Sequence, residues 1–254
     1  MRYHLYQLQR AAVAIVLAVT ACGIVHADEV RVLAAGAAKA ALEKIAPEFQ
    51  RSTGHTLAAS FDTVGAQRDR LLKGEAADLV IVSDSAIAQL AAAGRLRGEQ
   101  RQFIGNVSVS LAVPAGSAAP DISTPEALKL ALQQAPTIAY ADPARGATAG
   151  THFDKVLVQL GLREALKPKL HVLPFGVDVI KDVSTGKYAL GVSQSSEILQ
   201  HEGITMVGPL PAPHALTTGY SAAVTSARPA AELLLQFLAS PAAAAQFRAT
   251  GFLP

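Results

Sequence analysis

The chain predicts an α/β fold of two lobes, each an open, mostly parallel sheet flanked by helices. Two observations carry that prediction. Apolar runs of strand length alternate along the chain with segments of helical period, the pattern of parallel strands joined by crossover helices. Two turn-rich stretches, Pro114-Ala115-Gly116 and Gly208-Pro209-Leu210-Pro211-Ala212-Pro213, divide the alternation into sets, as crossings between lobes do. The expected organisation is a targeting segment at 1–27, lobe I at 28–112 and 214–254, and lobe II at 113–213.

Lobe I opens with a βαβ unit. Glu29-Val30-Arg31-Val32-Leu33-Ala34-Ala35 alternates as a strand and meets the tight turn Gly36-Ala37. Ala38, Leu42, Ile45 and Phe49 then recur at helical spacing, and 55–61 reads as a second strand. The turn carries almost no side chain, so helix N–H groups there are open to a ligand and favour an anion. A helix at 65–73, a buried strand at 78–82 and a helix capped by Ser83-Asp84-Ser85 and running to Ala93 repeat the unit. A longer alternating strand at 103–113 ends at the first crossing.

Lobe II starts with Ser123-Thr124-Pro125-Glu126, an N-cap with proline near the first helical position, and its helix reaches Gln134. Strands are expected at 137–140, 170–173, 190–193 and 205–208, and helices end near Gly161 and run over 176–185, with a short helix from Ser195. After the second crossing, 220–224 rejoins lobe I and two helices, 229–239 and 241–250, close the chain. In open α/β sheets ligands bind beyond the carboxyl ends of the strands, which puts 34–38, 61–67, 83–85, 142–150, 173–177 and 194–196 on one cleft.

The first residues are an export signal. Arg2 and Arg10 precede an uncharged apolar core at 11–19, and Val25-His26-Ala27 fits a small-residue cleavage site before Asp28. That core is shorter than the ~20 residues a membrane span needs. Val19-Thr20-Ala21-Cys22 also fits a lipidation site, so cleavage after Ala27 and lipid attachment at Cys22 both stand; either places the domain outside the inner membrane. The net charge of +2 comes from this segment, because removing Arg2 and Arg10 from 22 basic residues leaves 20 against 20 acidic ones. With no basic block, nucleic acid is a poor partner. Cys22 is the only cysteine, which excludes disulfides and cysteine catalysis from the domain.

Several motifs, in order, resemble those of the periplasmic molybdate-binding protein family, solute receptors of the type II periplasmic binding fold. They are Val32-Leu33-Ala34-Ala35-Gly36-Ala37, Ala46-Pro47-Glu48-Phe49, Ser60-Phe61, Ala77-Asp78-Leu79-Val80-Ile81-Val82-Ser83, Ala141-Asp142-Pro143 with Ala149-Gly150, Leu190-Gly191-Val192-Ser193, Phe237-Leu238-Ala239-Ser240-Pro241 and Gly251-Phe252. The resemblance spans the whole mature chain. It implies a monomeric periplasmic receptor that closes two lobes over a small anion, hinging near Val113 and Pro213, and hands it to the membrane permease of an ABC importer without a cofactor or metal. The ligand set expected on the cleft loops is Gly36, Ala37, Thr63, Val64, Gly65, Ser83, Arg145, Thr148, Ala149, Gly176, Val177, Gln194 and Ser195.

The chain departs from the family where the anion sits. Gly36-Ala37 replaces a serine pair, Asp62-Thr63-Val64-Gly65 replaces a serine-rich loop, and Gln194 stands in place of a tyrosine. Two lost bonds to a charged ligand cost about 3 to 6 kcal/mol, or roughly two to four decades of affinity. Arg145 suits a carboxylate, which a guanidinium grips through two parallel bonds, or else is a surface arginine beside Asp142. Val207-Gly208-Pro209-Leu210-Pro211 is similar to a branch that includes aconitate isomerase, which moves a proton across an allylic system. On that reading Asp62, His152 and Glu197 are the acid/base candidates; their plain roles are a turn cap, a solvated first-turn histidine and a helix N-terminal carboxylate.

Other chemistries lack their motifs. Neither G-x-G-x-x-G nor G-x-x-x-x-G-K-[ST] occurs, and Gly191-Val192-Ser193-Gln194-Ser195 lacks the last glycine of a nucleophile elbow. His55, His152, His171, His201 and His214 are scattered without metal-ligand spacing.

Overall fold

A computed structural model describes residues 27–254; the expected export signal and Cys22 lie outside the described residues. Among the described residues no helix is long and apolar enough to cross a membrane. Nine strands are joined in the order β2-β1-β3-β9-β4-β7-β5-β6, with β8 on the far part of β4.

The first portion holds β1 (Glu29–Ala35), β2 (Thr56–Asp62) and β3 (Leu79–Ser83) in parallel, with β9 (Thr217–Val224) antiparallel beside β3. In the second, β5 (Ile138–Ala141), β6 (Leu170–Leu173) and β7 (Leu190–Gln194) are parallel. β4 (Arg101–Pro114) serves both. Its residues up to Ser108 pair with β9, and from Val109 onward it pairs with β7 and with β8 (Ile204–Pro209). The sheets expected for the two lobes are thus joined through a shared strand. The backbone of Val109 bonds both to Leu216 (3.0 Å) and to Leu210 (3.1 Å), so the two crossing segments meet there.

Strands covered on both faces need apolar residues at every position, and β3 and β5 show why their sequences read as unbroken apolar runs. Leu79 and Ile81 face one core with Leu42, Ile45 and Phe49 of α1 (Lys39–Thr53), Leu234 and Leu238 of α8 (Pro229–Leu238), and Phe247 of α9 (Pro241–Ala249). Val80 and Val82 face the other, against Leu71 of α2 (Val64–Leu72) and Ile87 and Leu90 of α3 (Asp84–Ala92). In the second portion Ile138 and Tyr140 pack against α4 (Pro125–Gln134) and α5 (Thr148–Gln159), whereas Ala139 and Ala141 pack against α6 (Gly176–Ser184) and α7 (Ser195–Ile198). Each large side chain so buried contributes about 1.5 to 3 kcal/mol.

One polar knot pins the edge of the first portion away from the strand ends that carry the site. Asp78 lies just before β3 and accepts from the Arg31 N–H (2.9 Å), the Ser226 hydroxyl (2.8 Å) and the Arg228 guanidinium (2.8 Å). Burial alone pushes its carboxyl up, but these donors outweigh burial and hold it below the usual carboxylate range.

Candidate functional site

The carboxyl ends of the parallel strands in both portions open onto one cavity of ≈ 220 Å³. Its wall is built where strands turn into helices: 35–37 after β1, 61–64 after β2, 147–149 before α5, 175–177 after β6, and 193–194 with Glu197 after β7. Lys39, Ala141 and Tyr220 complete it.

Three of the helix starts at this cavity differ from most others among the described residues, whereas α2, which also starts there, is capped by the Thr63 hydroxyl accepting from the Ala66 N–H (3.1 Å). Elsewhere Ser83, Thr124 and Ser240 close their helices with a side-chain oxygen, and α8, which lacks such a cap, has Pro229 at its first turn and so one donor fewer. At the cavity Ala35, Ala147 and Phe175 hold the N-cap positions of the 36–38 turn, α5 and α6 with no side-chain cap. Such a vacancy costs about 1 kcal/mol each relative to a hydroxyl or carboxamide cap. It leaves first-turn N–H groups aimed at a shared space, together with the positive ends of the helix dipoles.

Polar side chains sit among these amides. Gln194 is 4% exposed; its Nε2 lies 3.4 Å from the Tyr220 hydroxyl and its Oε1 has no partner among the described residues. Burial raises the Tyr220 phenol well above its ordinary range, and the neighbouring Glu197 adds to the effect. Glu197 accepts a hydrogen bond from the Ser193 hydroxyl and a long one (3.4 Å) from the Gln194 N–H. Desolvation raises its carboxyl above the usual carboxylate range and outweighs both bonds. The carboxyl fits because two of its neighbours are glycines: a Cβ on Gly36 would lie 3.0 Å from Oε1 and one on Gly176 2.2 Å from Oε2. Lys39 is the one cationic residue lining the cavity among the described residues, with its Nζ 5.9 Å from the Phe61 ring centre.

Of the residues expected to hold ligand, Gly36, Ala37, Thr63, Val64, Thr148, Ala149, Gly176, Val177 and Gln194 line this cavity. Four lie elsewhere. Ser83 caps α3 through its Oγ, 3.4 Å from the Ala86 N–H, and with Gly65 lines a separate depression. The Gly65 N–H donates to the Gly146 carbonyl (3.1 Å), and the Ser195 hydroxyl accepts from the Ser108 N–H (3.1 Å), so both are spent on the fold.

Arg145 also departs from its expected place. Its Nη2 lies 3.0 Å from Asp62 Oδ1 and its guanidinium stacks over Phe175 at 4.8 Å, outside the cavity lining. Asp62 is answered by that pair and by the Thr63 N–H (2.7 Å), so its charge does not confront the cavity unopposed. His152 bonds the His214 carbonyl (2.8 Å) beside the separate depression, away from this cavity. Of the three acid/base candidates, Asp62 and Glu197 both line the cavity, and of these two Asp62 is paired with a cation whereas Glu197 is in none of the ion pairs among the described residues. Lys39, Ala141, Ser193 and Tyr220 are the cavity residues outside the segments and candidates expected from sequence; of these Lys39 stands a single turn beyond Gly36. Among the described residues no cluster of three or more His, Cys, Asp or Glu side chains is placed to hold a metal.

Comparison with known proteins agrees with this architecture. The family described as bacterial extracellular solute-binding protein matches residues 30–253. A curated relative, aconitate isomerase from Pseudomonas sp., is 33% identical over 232 residues, covering 88% of this chain and 87% of its own. The periplasmic molybdate-binding protein of Azotobacter vinelandii superposes with a TM-score of 0.71 at 21% identity, over 89% of this chain and 99% of that one. The sulfate-binding protein SubI of Mycobacterium tuberculosis H37Rv gives 0.70 at 16% identity, over 89% and 87%.

Proposed function

Because the chain belongs to the bacterial extracellular solute-binding protein family, we propose that it is a monomeric periplasmic receptor that captures a small organic carboxylate between its two sheet portions and delivers it to an ABC-importer permease. The observation that carries this reading is the convergence of three uncapped helix starts on one cavity. Together with Lys39 they supply positive potential and N–H donors, and an anion occupying the cavity satisfies groups that the chain itself leaves open.

Two features favour a carboxylate over a tetrahedral oxyanion. The cavity, of ≈ 220 Å³, is larger than an ion of five heavy atoms needs. The lining also mixes apolar Phe61, Val64, Phe175 and Val177 with its donors, which suits a carbon skeleton bearing several charged ends. Closure follows a hinge at the crossing of β4 with the 210–216 segment.

Thermal unfolding of the mature domain with molybdate, tungstate, sulfate, citrate, and cis- and trans-aconitate tests the reading. A tricarboxylate at a hundred times its Kd adds about 2.7 kcal/mol, a rise in Tm of roughly 5 to 10 °C. Stabilisation by the tetrahedral ions alone overturns the carboxylate assignment.

A second reading is favoured by Glu197, a half-buried carboxyl of raised basicity at the cavity. On this reading the ionised carboxylate lifts a proton from the ligand's methylene carbon, the electron pair spreads through the adjacent double bond, and the proton returns to the far carbon of the allylic system. The relative that carries aconitate isomerase in its name supports the reading. Incubation with trans-aconitate must then yield the cis isomer, and Glu197→Gln must abolish the conversion while sparing ligand affinity.

A further inference from the structure

Glu197 is a second feature of the cavity that the anion reading does not by itself explain, since an anion receptor gains nothing from a carboxylate. None of the ion pairs among the described residues includes it. Both bonds it receives, from the Ser193 hydroxyl and the Gln194 N–H, go to the same oxygen, Oε2. The other oxygen, Oε1, lies over Gly36, at the first of the uncapped helix starts. An unpaired carboxylate held among desolvated groups is costly, whereas a carboxylic acid there is a donor.

Resting on the proposed carboxylate-binding reading, we infer that Glu197 meets the bound ligand as a carboxylic acid, donating its Oε1 hydroxyl to an anionic oxygen, so that each ligand is captured together with one proton. The group then determines specificity, because it adds a donor at one place in a cage otherwise made of amides and rejects the anion once its proton is lost.

The surroundings leave Glu197 as the titrating group. Residues 108–114, β7, β8 and the 36–38 turn, which pack around α7, carry no titratable side chain. The first turn of α6 carries Asp178, which does not line the cavity. The titratable cavity residues besides Glu197 are Lys39, Asp62 and Tyr220; Asp62 is paired with Arg145, and burial pushes the Tyr220 phenol further up from its ordinary range. Burial that raises the Glu197 carboxyl keeps it protonated over a wider range of pH than a solvated glutamate.

Calorimetric titration of the mature protein with trans-aconitate, from about pH 6 to about pH 9 in pairs of buffers with different ionisation enthalpies, tests the inference. The probe's own carboxyls are ionised throughout, at ordinary values of roughly 4. The expected result is a binding heat that depends on the buffer, corresponding to uptake of up to about one proton per ligand, and a Kd that rises tenfold per pH unit once Glu197 ionises. In Glu197→Gln, whose carboxamide still donates, binding persists with a flat Kd and no buffer dependence. Tight binding by the wild type with no proton uptake and no pH dependence overturns the role of Glu197 while leaving the carboxylate site standing. A slope that survives in Glu197→Gln does the same. Absence of tricarboxylate binding at every pH, with binding of molybdate instead, overturns the site reading and the inference together.

Discussion

Asp62 and Arg145 meet across the cleft at 3.0 Å, one from the end of β2 and the other from the loop that follows β5. The contact is reinforced beneath: the Thr63 hydroxyl donates to the Arg145 carbonyl and Gly65 lies against Gly146, where a Cβ would come within 2.7 Å of backbone. The arginine expected to grip a ligand thus clasps the two portions to each other. Its stacking on Phe175, which itself lines the cavity, places the clasp against the cavity wall.

Arg145→Ala should therefore loosen closure without removing a ligand contact. A partly exposed pair of this kind contributes up to about 1 kcal/mol, so Kd should rise by no more than roughly fivefold, mostly through faster dissociation. Stopped-flow dissociation measures this directly. A loss of a hundredfold or more would instead make Arg145 a ligand contact.

Gly176→Ala should cost binding more than folding. Its Cβ would meet Glu197 Oε2 at 2.2 Å and Ser193 Oγ at 2.5 Å, both ends of side chains that can swing away, for about 1 to 3 kcal/mol of stability. The displaced carboxyl then blocks the cavity, and affinity should fall at least tenfold. Gly150→Ala is the contrast: its Cβ would lie 1.7 Å from the Ala141 carbonyl oxygen, which is backbone, so that variant should fail to fold. Circular dichroism beside ligand titration separates the two.

Lys39→Met should weaken anion capture through charge alone. The side chain is 47% exposed, which limits the effect to about 1 kcal/mol, or roughly fivefold in Kd. The loss should shrink as salt is raised, and a wild-type affinity that ignores salt would contradict it.

Asp78→Asn should destabilise the fold by about 2 to 3 kcal/mol, since it weakens bonds to Arg31, Ser226 and Arg228 at a site only 1% exposed. The pH dependence has a definite sign. Because the folded carboxyl titrates below its unfolded value of about 3.8, its contribution is present above that value and is lost as pH falls through the lower, folded one. Urea unfolding should show the wild type's advantage over Asp78→Asn shrinking in acid and constant from about pH 5 to pH 7.

The order of strands and helices could be read along the chain because its causes are local. Alternation at β1, unbroken apolar runs at β3 and β5, and hydroxyl caps at Ser83, Thr124 and Ser240 involve residues within a few positions of one another. Strand polarity then implied which loops share a cleft, and five of the six segments named from sequence do line the cavity, with 83–85 excluded because Ser83 is spent on its own helix. The partners of individual side chains had no such local cause. Asp62 and Arg145 stand 83 positions apart, Tyr220 arrives on β9, and Glu197 fits only where Gly36 and Gly176 close from opposite portions. A hydrogen bond within a turn follows from neighbouring residues, but a charge finds its counter-ion, or keeps its proton for want of one, only after distant segments have packed and water has been excluded.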